Sequence, residues 1–397
     1  MNTDYNDMIT SNKYTEILHK HPYQMCIKSV MDTSDPWIEF DEQGVSNHVR
    51  GYEEWEKKLK LSPSGAVTAL SNMVDMLKKE GKGKEYDCIM GLSGGVDSSY
   101  LSYYATKILG LRPLVVHVDT GWNSELAVNN IQSIVQKLNL DLHTLVIDWE
   151  EIRDLQLSFF KASIANLDVP QDHAFLGSLH QEAKKYGIKY ILSGGNMSTE
   201  FILPNAWGYD ASDPLHVTSI HNKFGSVKLK SYPLFKNYKK LFYYPYFKGM
   251  KILRPLDCIE YNKQEAKDFL IKELGWRDYG GKHYESKFTK FFQAYYLPTK
   301  FGFDKRKAHL SSLIVSGQMT REEALEELKL PLYDPTELEE DKIYFAKKLG
   351  ISMDEFESIM NLPPKFYTDY GNSEKLYSFL KKYVRFVMKI AKKVTGK

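Results

Sequence analysis

The 397-residue chain is 43% hydrophobic and 26% charged with a formal net charge of +2, the balance of an ordinary water-soluble protein of two or three domains. That charge is too small to demand a nucleic-acid partner, and no apolar run reaches membrane-spanning length, so neither nucleic acid nor membrane is expected as a partner. Cys26, Cys88 and Cys258 lie too far apart in sequence to suggest a disulfide framework, and the polar stretch Met1 to Lys20 lacks the apolar core of an export signal, so a cytoplasmic protein is expected.

In chain order, apolar periodicity predicts a helix over Leu61 to Lys79, and then strands and helices alternate. The predicted strands are Asp87 to Leu92, Leu114 to Asp119, Leu142 to Ile147 and a short Tyr190 to Ser193. Predicted helices are Ser98 to Leu109, Glu125 to Leu138, Leu155 to Ser163 and Ala174 to Tyr186. A long segment rich in Tyr, Lys and Pro follows; from Lys263 the pattern is mostly helical and ends in the basic amphipathic stretch Lys375 to Lys393. Such alternation implies an α/β fold with a doubly wound, mostly parallel sheet. The expected domains are a small N-terminal lobe (1–80), a nucleotide-binding domain (81–260) and a mostly helical region (261–397).

The richest motif is Ser93-Gly94-Gly95-Val96-Asp97-Ser98-Ser99, set between a strand and a helix. Glycines let consecutive N–H groups turn toward an anion, and the following helix N-terminus favours negative charge, so the run reads as a phosphate cradle. No Walker lysine follows; Asp97 stands there instead and suits Mg²⁺ bridging the phosphates. The run resembles the loop of PP-loop ATP pyrophosphatases, which cleave ATP between the α and β phosphates and adenylylate an oxygen. Ligands in such sheets lie beyond the strands' carboxyl ends. There His117, Val118 and Asp119 are candidates for nucleoside contacts, with capping of the following turn as the alternative for Asp119. Gly194, Gly195 and Asn196 form a second cradle, and Glu200 is either a second Mg²⁺ carboxylate or a solvated helix-start glutamate.

Longer blocks carry a second resemblance: Met31 to Pro36 with Phe40 to Gly44, Val118 to Asn123, Val169 to Ala174, and Gly275 to Ser286. Together they resemble the N-acetyl sugar amidotransferase family, PP-loop enzymes of bacterial surface polysaccharide and nonulosonic-acid pathways. The resemblance implies conversion of an acetamido group on a sugar, free or nucleotide-activated, into an acetamidino group, using ATP and Mg²⁺. Ammonia would come from a separate glutaminase, with a channel-forming synthase subunit as a further partner. It also implies that Ser93, Asp97, Lys282, His283 and Glu285 serve the chemistry, and that Trp122, Asn123, Asp172, His173, Tyr284, Tyr295 and Lys300 meet the substrate. The aromatic residues of the last block also fit a helix face packed on the core.

One departure stands out. The family places two Cys-x-x-Cys pairs near the Met-Asp-Thr-Ser-Asp-Pro block, whereas this chain reads Cys26-Ile27-Lys28-Ser29 and Ser46-Asn47-His48-Val49, so no structural zinc is expected. A tRNA-modifying PP-loop enzyme and a nucleotide-binding adaptor without catalysis are the competing readings.

Overall fold

The computed structural model describes residues 22–58, 60–280, 285–380 and 382. Its sheet has strands β1 (Cys88–Gly91), β2 (Pro113–Asp119), β3 (Asp141–Val146), β4 (Tyr190–Leu192) and β5 (Lys251–Leu253), in the order β3-β2-β1-β4-β5 with every pair parallel. Parallel neighbours need crossovers that cover both faces. Side-chain alternation divides the two covers. Cys88 and Met90 of β1 join Val115 and Leu192 in one layer, closed by Leu77, Leu101, Ile131 and Leu270. Ile89 joins Leu114, Val116 and Ile191 in the other, closed by Leu179, Ala183, Phe235 and Tyr244.

The helices that position the site are α1 (Asn47–Lys58), α2 (Pro63–Glu80), α3 (Val96–Tyr103), α4 (Glu125–Leu138), α5 (Trp149–Ala162), α6 (Val169–Lys185), α7 (Pro214–Phe224) and α8 (Lys263–Leu274). Beyond them come α9 (Lys287–Phe291), α10 (Lys305–Val315), α11 (Arg321–Lys329), α12 (Pro335–Leu349) and α13 (Met353–Met360). Caps set several starts: the Ser62, Ser124 and Asp148 side chains accept from the N–H groups of Gly65, Ala127 and Glu151. Two helices begin earlier than periodicity predicts. The first turns of α5 are acidic rather than apolar, and α6 opens with Val169-Pro170, proline being pre-set for a first helical turn. Strand β5 is absent from the predicted elements; it is three residues at a sheet edge, too short to show alternation.

A third core joins the C-terminal helices to α5 through Phe159, Phe160, Phe291, Phe345 and Phe356. The N-terminal lobe docks on these helices, far away in sequence. Val30 N–H donates to Ser311 Oγ (3.1 Å), Arg321 Nε donates to the Ser29 carbonyl (3.0 Å), and Asp32 pairs with Lys307. The Ser46 N–H meets Cys26 Sγ at 3.3 Å, and Val49 packs in the same small cluster. His48 Nε2 lies 2.7 Å from Asp35 Oδ2. The expected stretch Lys375 to Lys393 falls mostly outside the described residues.

Two buried carboxylates on α5 anchor the segment after α7. Glu151 accepts from the N–H groups of Lys230 (2.9 Å), Ser231 (3.0 Å) and Tyr232 (2.7 Å). Asp154 accepts from Ser226 N (3.0 Å), Ser226 Oγ (2.6 Å) and Val227 N (3.2 Å). Burial pushes both carboxyls up, but these donors outweigh it and hold each below its ordinary value. A depressed folded pKa stabilises above the unfolded value and is lost as pH falls through the folded one, so stability drops below about pH 4. Glu151→Gln replaces one acceptor oxygen by an NH₂ facing backbone donors and should cost about 1–3 kcal/mol in urea unfolding, with a weaker acid dependence than the parent.

Candidate active site

The cradle between β1 and α3 is held from behind. Gly94 adopts φ +88°, left-handed backbone that favours glycine, and its carbonyl accepts from Trp276 Nε1 (2.7 Å) and Tyr279 OH (2.9 Å). A Cβ there would lie 3.0 Å from the Tyr279 hydroxyl and 3.2 Å from the Ala127 carbonyl. Gly95 caps α3 without a side chain, which leaves first-turn N–H groups available to an anion. Ser93 Oγ accepts from Gly95 N (3.3 Å) and lies 3.2 Å from Ser98 Oγ, closing the turn. Ser93, Gly95, Val96, Asp97 and Ser98 line the cleft; Ser99 is buried behind them, its hydroxyl without a partner among the described residues.

The loop after β4 repeats this device. Ser193 Oγ accepts from Gly195 N (3.2 Å), and Asn196 caps the short turn Met197–Glu200 by accepting from Thr199 N (2.9 Å). The loops touch backbone to backbone: a Cβ on Gly194 would sit 3.1 Å from the Asp97 carbonyl carbon and 3.2 Å from Ser98 N. Asp97 Oδ1 accepts from Asn196 Nδ2 (3.2 Å) and Tyr261 OH (2.7 Å). Burial and the Asp97 charge hold the Tyr261 phenol far above its ordinary range, so it stays a donor. Both bonds fall on Oδ1, so Oδ2 is the oxygen available to a cation. Glu200 lines the same cleft on the far side of Gly195, whose Cβ would lie 3.4 Å from Glu200 Oε2.

At the end of β2, His117 is buried with Nδ1 3.0 Å from the Leu92 carbonyl and Nε2 2.9 Å from Asn123 Nδ2. A carbonyl only accepts, so Nδ1 carries the proton and Nε2 accepts from Asn123. Asp119 Oδ1 takes Gly121 N (2.7 Å) and Asn123 Nδ2 (3.1 Å), the turn-capping role. His117, Val118 and Asn123 line the cleft; Asp119 supports it from its turn. The C-terminal region closes over this end, with Ser124 N donating to the Glu285 carbonyl (3.0 Å) and Lys287 N to the Trp122 carbonyl (3.0 Å). Glu285 thereby faces the cradle, its Oε1 3.1 Å from where a Gly95 Cβ would stand.

The opposite wall is built by the N-terminus of α6. Asp168 is buried and its Oδ1 accepts from Gln171 Nε2 (2.9 Å) and Thr289 Oγ1 (3.1 Å). Burial and the neighbouring Asp172 carboxylate push Asp168 up to about 7, while Lys305 acts in the opposite direction. Asp168, Asp172, Thr289, Gln293 and Lys305 face into the same cleft as the cradle, a volume of about 1120 Å³. That lies just above the range of about 300–1,000 Å³ usual for a small-molecule site.

Several sequence expectations need correction. Trp122 is core: its indole N–H donates to Gln156 Oε1 (2.7 Å), and its ring packs on Phe288 and Phe345. His173 is also buried, Nδ1 on the Ala211 carbonyl (2.7 Å) and Nε2 accepting from Phe235 N (2.8 Å), and burial lowers it to about 4, so it stays neutral. Lys300 donates to the carbonyls of Ile359 (2.7 Å) and Met360 (3.1 Å), satisfying the C-terminal end of α13; burial lowers it to about 8. Tyr295 packs on Phe291 beneath Lys342, away from the cleft. Lys282, His283 and Tyr284 lie outside the described residues. Sequence reasoning missed Asp168, Thr289 and Tyr261; starting α6 at Ala174 left Asp168 off the helix and hid its one-turn spacing from Asp172.

Comparison with known proteins bears on both halves. Residues 285–384 match the model described as "LPS biosynthesis protein WbpG-like, C-terminal domain", and residues 69–167 match the NAD synthase model. The chain is 26% identical over 186 residues to a glutamine-hydrolysing GMP synthase of Elusimicrobium minutum, covering 45% of this chain and 32% of that one. It is 32% identical over 116 residues to one of the glutamine-hydrolysing GMP synthase chains of Archaeoglobus fulgidus, covering 28% and 35%. The chain thus spans about a third of the length of these curated relatives. Among solved structures, an NH3-dependent NAD synthetase from Campylobacter jejuni aligns at 15% identity and TM-score 0.34, covering 67% of this chain and 97% of that one. An NMN synthetase from Francisella tularensis aligns at 18% and 0.27, covering 53% and 86%. With its Ser-Gly-Gly-x-Asp-Ser cradle on a parallel sheet and these two domain matches, the chain belongs to the PP-loop ATP pyrophosphatases and carries the C-terminal domain of WbpG-like lipopolysaccharide-biosynthesis proteins.

Proposed function

We propose that the protein is an ATP-dependent amidotransferase acting in the cytoplasm, turning the acetamido group of a free or nucleotide-activated sugar into an acetamidino group for bacterial surface polysaccharide. The observation that carries this reading is one cleft with two unlike walls, an anion cradle on one side and a carboxylate pair with Thr289 and Lys305 on the other. The WbpG-like region supplies Glu285, Thr289, Gln293 and Lys305 to that cleft.

An amide carbon is a poor electrophile and its oxygen a poor leaving group. Attack of the acetamido oxygen on the α-phosphate of ATP releases pyrophosphate and leaves an O-adenylyl imidate. Ammonia then adds at the imidate carbon, AMP departs with the oxygen, and the nitrogen sheds a proton. The first-turn N–H groups of α3, with Ser93 and Ser98, would hold the departing pyrophosphate.

The donor set fits Mg²⁺: Asp97 and Glu200 offer two carboxylates in one cleft and would hold the ion beside the phosphates. Bound there, Mg²⁺ would supply positive charge to offset that of the phosphates. His117, fixed with Nε2 toward Asn123, and the Val118 backbone shape the nucleoside end. Asp168, beside Asp172 and raised to about 7, would take the proton that ammonia loses. A separate glutaminase, with a channel-forming synthase subunit, would supply the ammonia.

The founding test is pyrophosphate release from Mg-ATP and ammonium across a panel of acetamido sugars. Release should depend on the sugar, yield a product with one oxygen exchanged for NH, and fall about 100-fold or more in Asp97→Asn; release without sugar dependence refutes the assignment. A base must be ionised, so at fixed free ammonia the rate should fall as pH drops through about 7. Asp168→Asn should remove that limb and lower kcat roughly 100-fold, leaving ATP affinity unchanged. Lys305→Met should move the limb to higher pH, because the cation lowers the Asp168 pKa.

A further inference from the structure

Between Asp213 and Asp257 the chain has no acidic residue, yet it holds eight lysines and Arg254, in a protein whose net charge is only +2. The centre of this run is the nine-residue π-helix Lys239–Phe247, capped by Tyr238 and followed by Lys248 and β5. A π-helix turns once in about four to five residues. Tyr238, Phe242 and Tyr246 therefore fall on one side, joined by Phe247, and Tyr244 points to the other. Burial agrees: Tyr244 is in the core against Phe235 and His180, while Tyr238 is 57%, Phe242 51%, Tyr246 77% and Phe247 79% exposed.

This ridge is ringed by cations. Lys184 and Lys248 lie over the Tyr243 ring at 5.6 and 5.7 Å. Lys236, Lys248 and Lys251 are exposed and make no ion pair among the described residues, whereas Lys240 is tied to Asp210. Exposed rings cost free energy unless covered, and their neighbours' charge indicates what covers them. Protein interfaces favour Arg and deplete Lys, whereas the run that carries this ridge has eight lysines to one arginine. Projecting Tyr and Phe flanked by lysines instead match the headgroup region of a negatively charged bilayer, where rings sit at the polar–apolar boundary and lysines reach phosphates.

We propose that this ridge seats the protein on the surface of an anionic lipid bilayer. The attachment is peripheral, since among the described residues no helix is long and apolar enough to cross a membrane. It departs from the sequence expectation of no membrane partner, which rested on the absence of a spanning segment. Exposed Ile252 of β5 also lines the cleft, so the ridge lies beside the site's rim.

The test is co-sedimentation of the full chain with vesicles of phosphatidylglycerol and phosphatidylcholine, against phosphatidylcholine alone. Anionic vesicles should bind roughly tenfold or more tightly, with binding falling as salt rises. The triple variants Phe242→Ser/Tyr246→Ser/Phe247→Ser and Lys236→Gln/Lys248→Gln/Lys251→Gln should each lose most of it while keeping the parental unfolding midpoint and pyrophosphate release. Equal binding to both vesicles, or none at low salt, overturns the proposal. So does binding that single-stranded RNA abolishes and the ring variant leaves intact, the mark of a general polyanion surface.

Discussion

The backbone contact between the two Ser-Gly-Gly loops is the constraint on which the site depends. Gly194 lies against the Asp97 carbonyl closely enough that any Cβ would press on main chain, which cannot swing aside as a long side chain can. The loops meet because β1 and β4 are adjacent parallel strands, so their carboxyl ends emerge side by side. The contact then lets Asn196 reach Asp97 and brings Glu200 into the same cleft, so that each loop contributes one carboxylate to its lining. The same economy of space appears one layer deeper. A Cβ on Gly91 would overlap Phe175, and one on Gly177 would overlap the Pro233 carbonyl, so α6 approaches β1 and the segment before the ridge through glycine at each crossing.

The cradle is not self-sufficient. Its left-handed residue, Gly94, has its carbonyl held by Trp276 and Tyr279, which follow α8 and precede the WbpG-like region. That region then pairs along the end of β2 through Ser124 with Glu285 and Trp122 with Lys287, and carries Thr289 to Asp168. Nucleotide loop and C-terminal domain therefore share one hydrogen-bonded frame. The fate of Trp122 follows: it is the residue around which α5, α9 and α12 close, so its value to the site is the placement of Asn123 beside it.

What was legible in the sequence was local. A strand, a glycine turn and a helix start lie within a dozen residues, and their chemistry needs nothing distant, so the cradle and the parallel sheet could be read directly. Asp168 could not, because its character comes from burial and from Asp172, and both depend on where α6 begins. His173 and Lys300 misled for a related reason. A histidine or lysine in a motif-like block looks available until tertiary packing turns it inward, and here backbone carbonyls of distant segments claim both. Their conversion to neutral or helix-capping groups leaves no trace in residue order.

Net charge concealed even more. A value near zero suggests evenly mixed surfaces, yet the chain separates its charges by layer. Glu151 and Asp154 are drawn into the interior of α5, where backbone N–H groups of residues 226–232 satisfy them. The segment they grip lies within the acid-free run, and its backbone rather than its lysines meets those carboxylates. A buried carboxylate bound to amides already has its hydrogen bonds and does not recruit a surface ammonium. The protein thus anchors part of this acid-free stretch by its backbone, while Lys236, Lys248, Lys251 and the rings Tyr238, Phe242, Tyr246 and Phe247 beyond the anchor stay exposed.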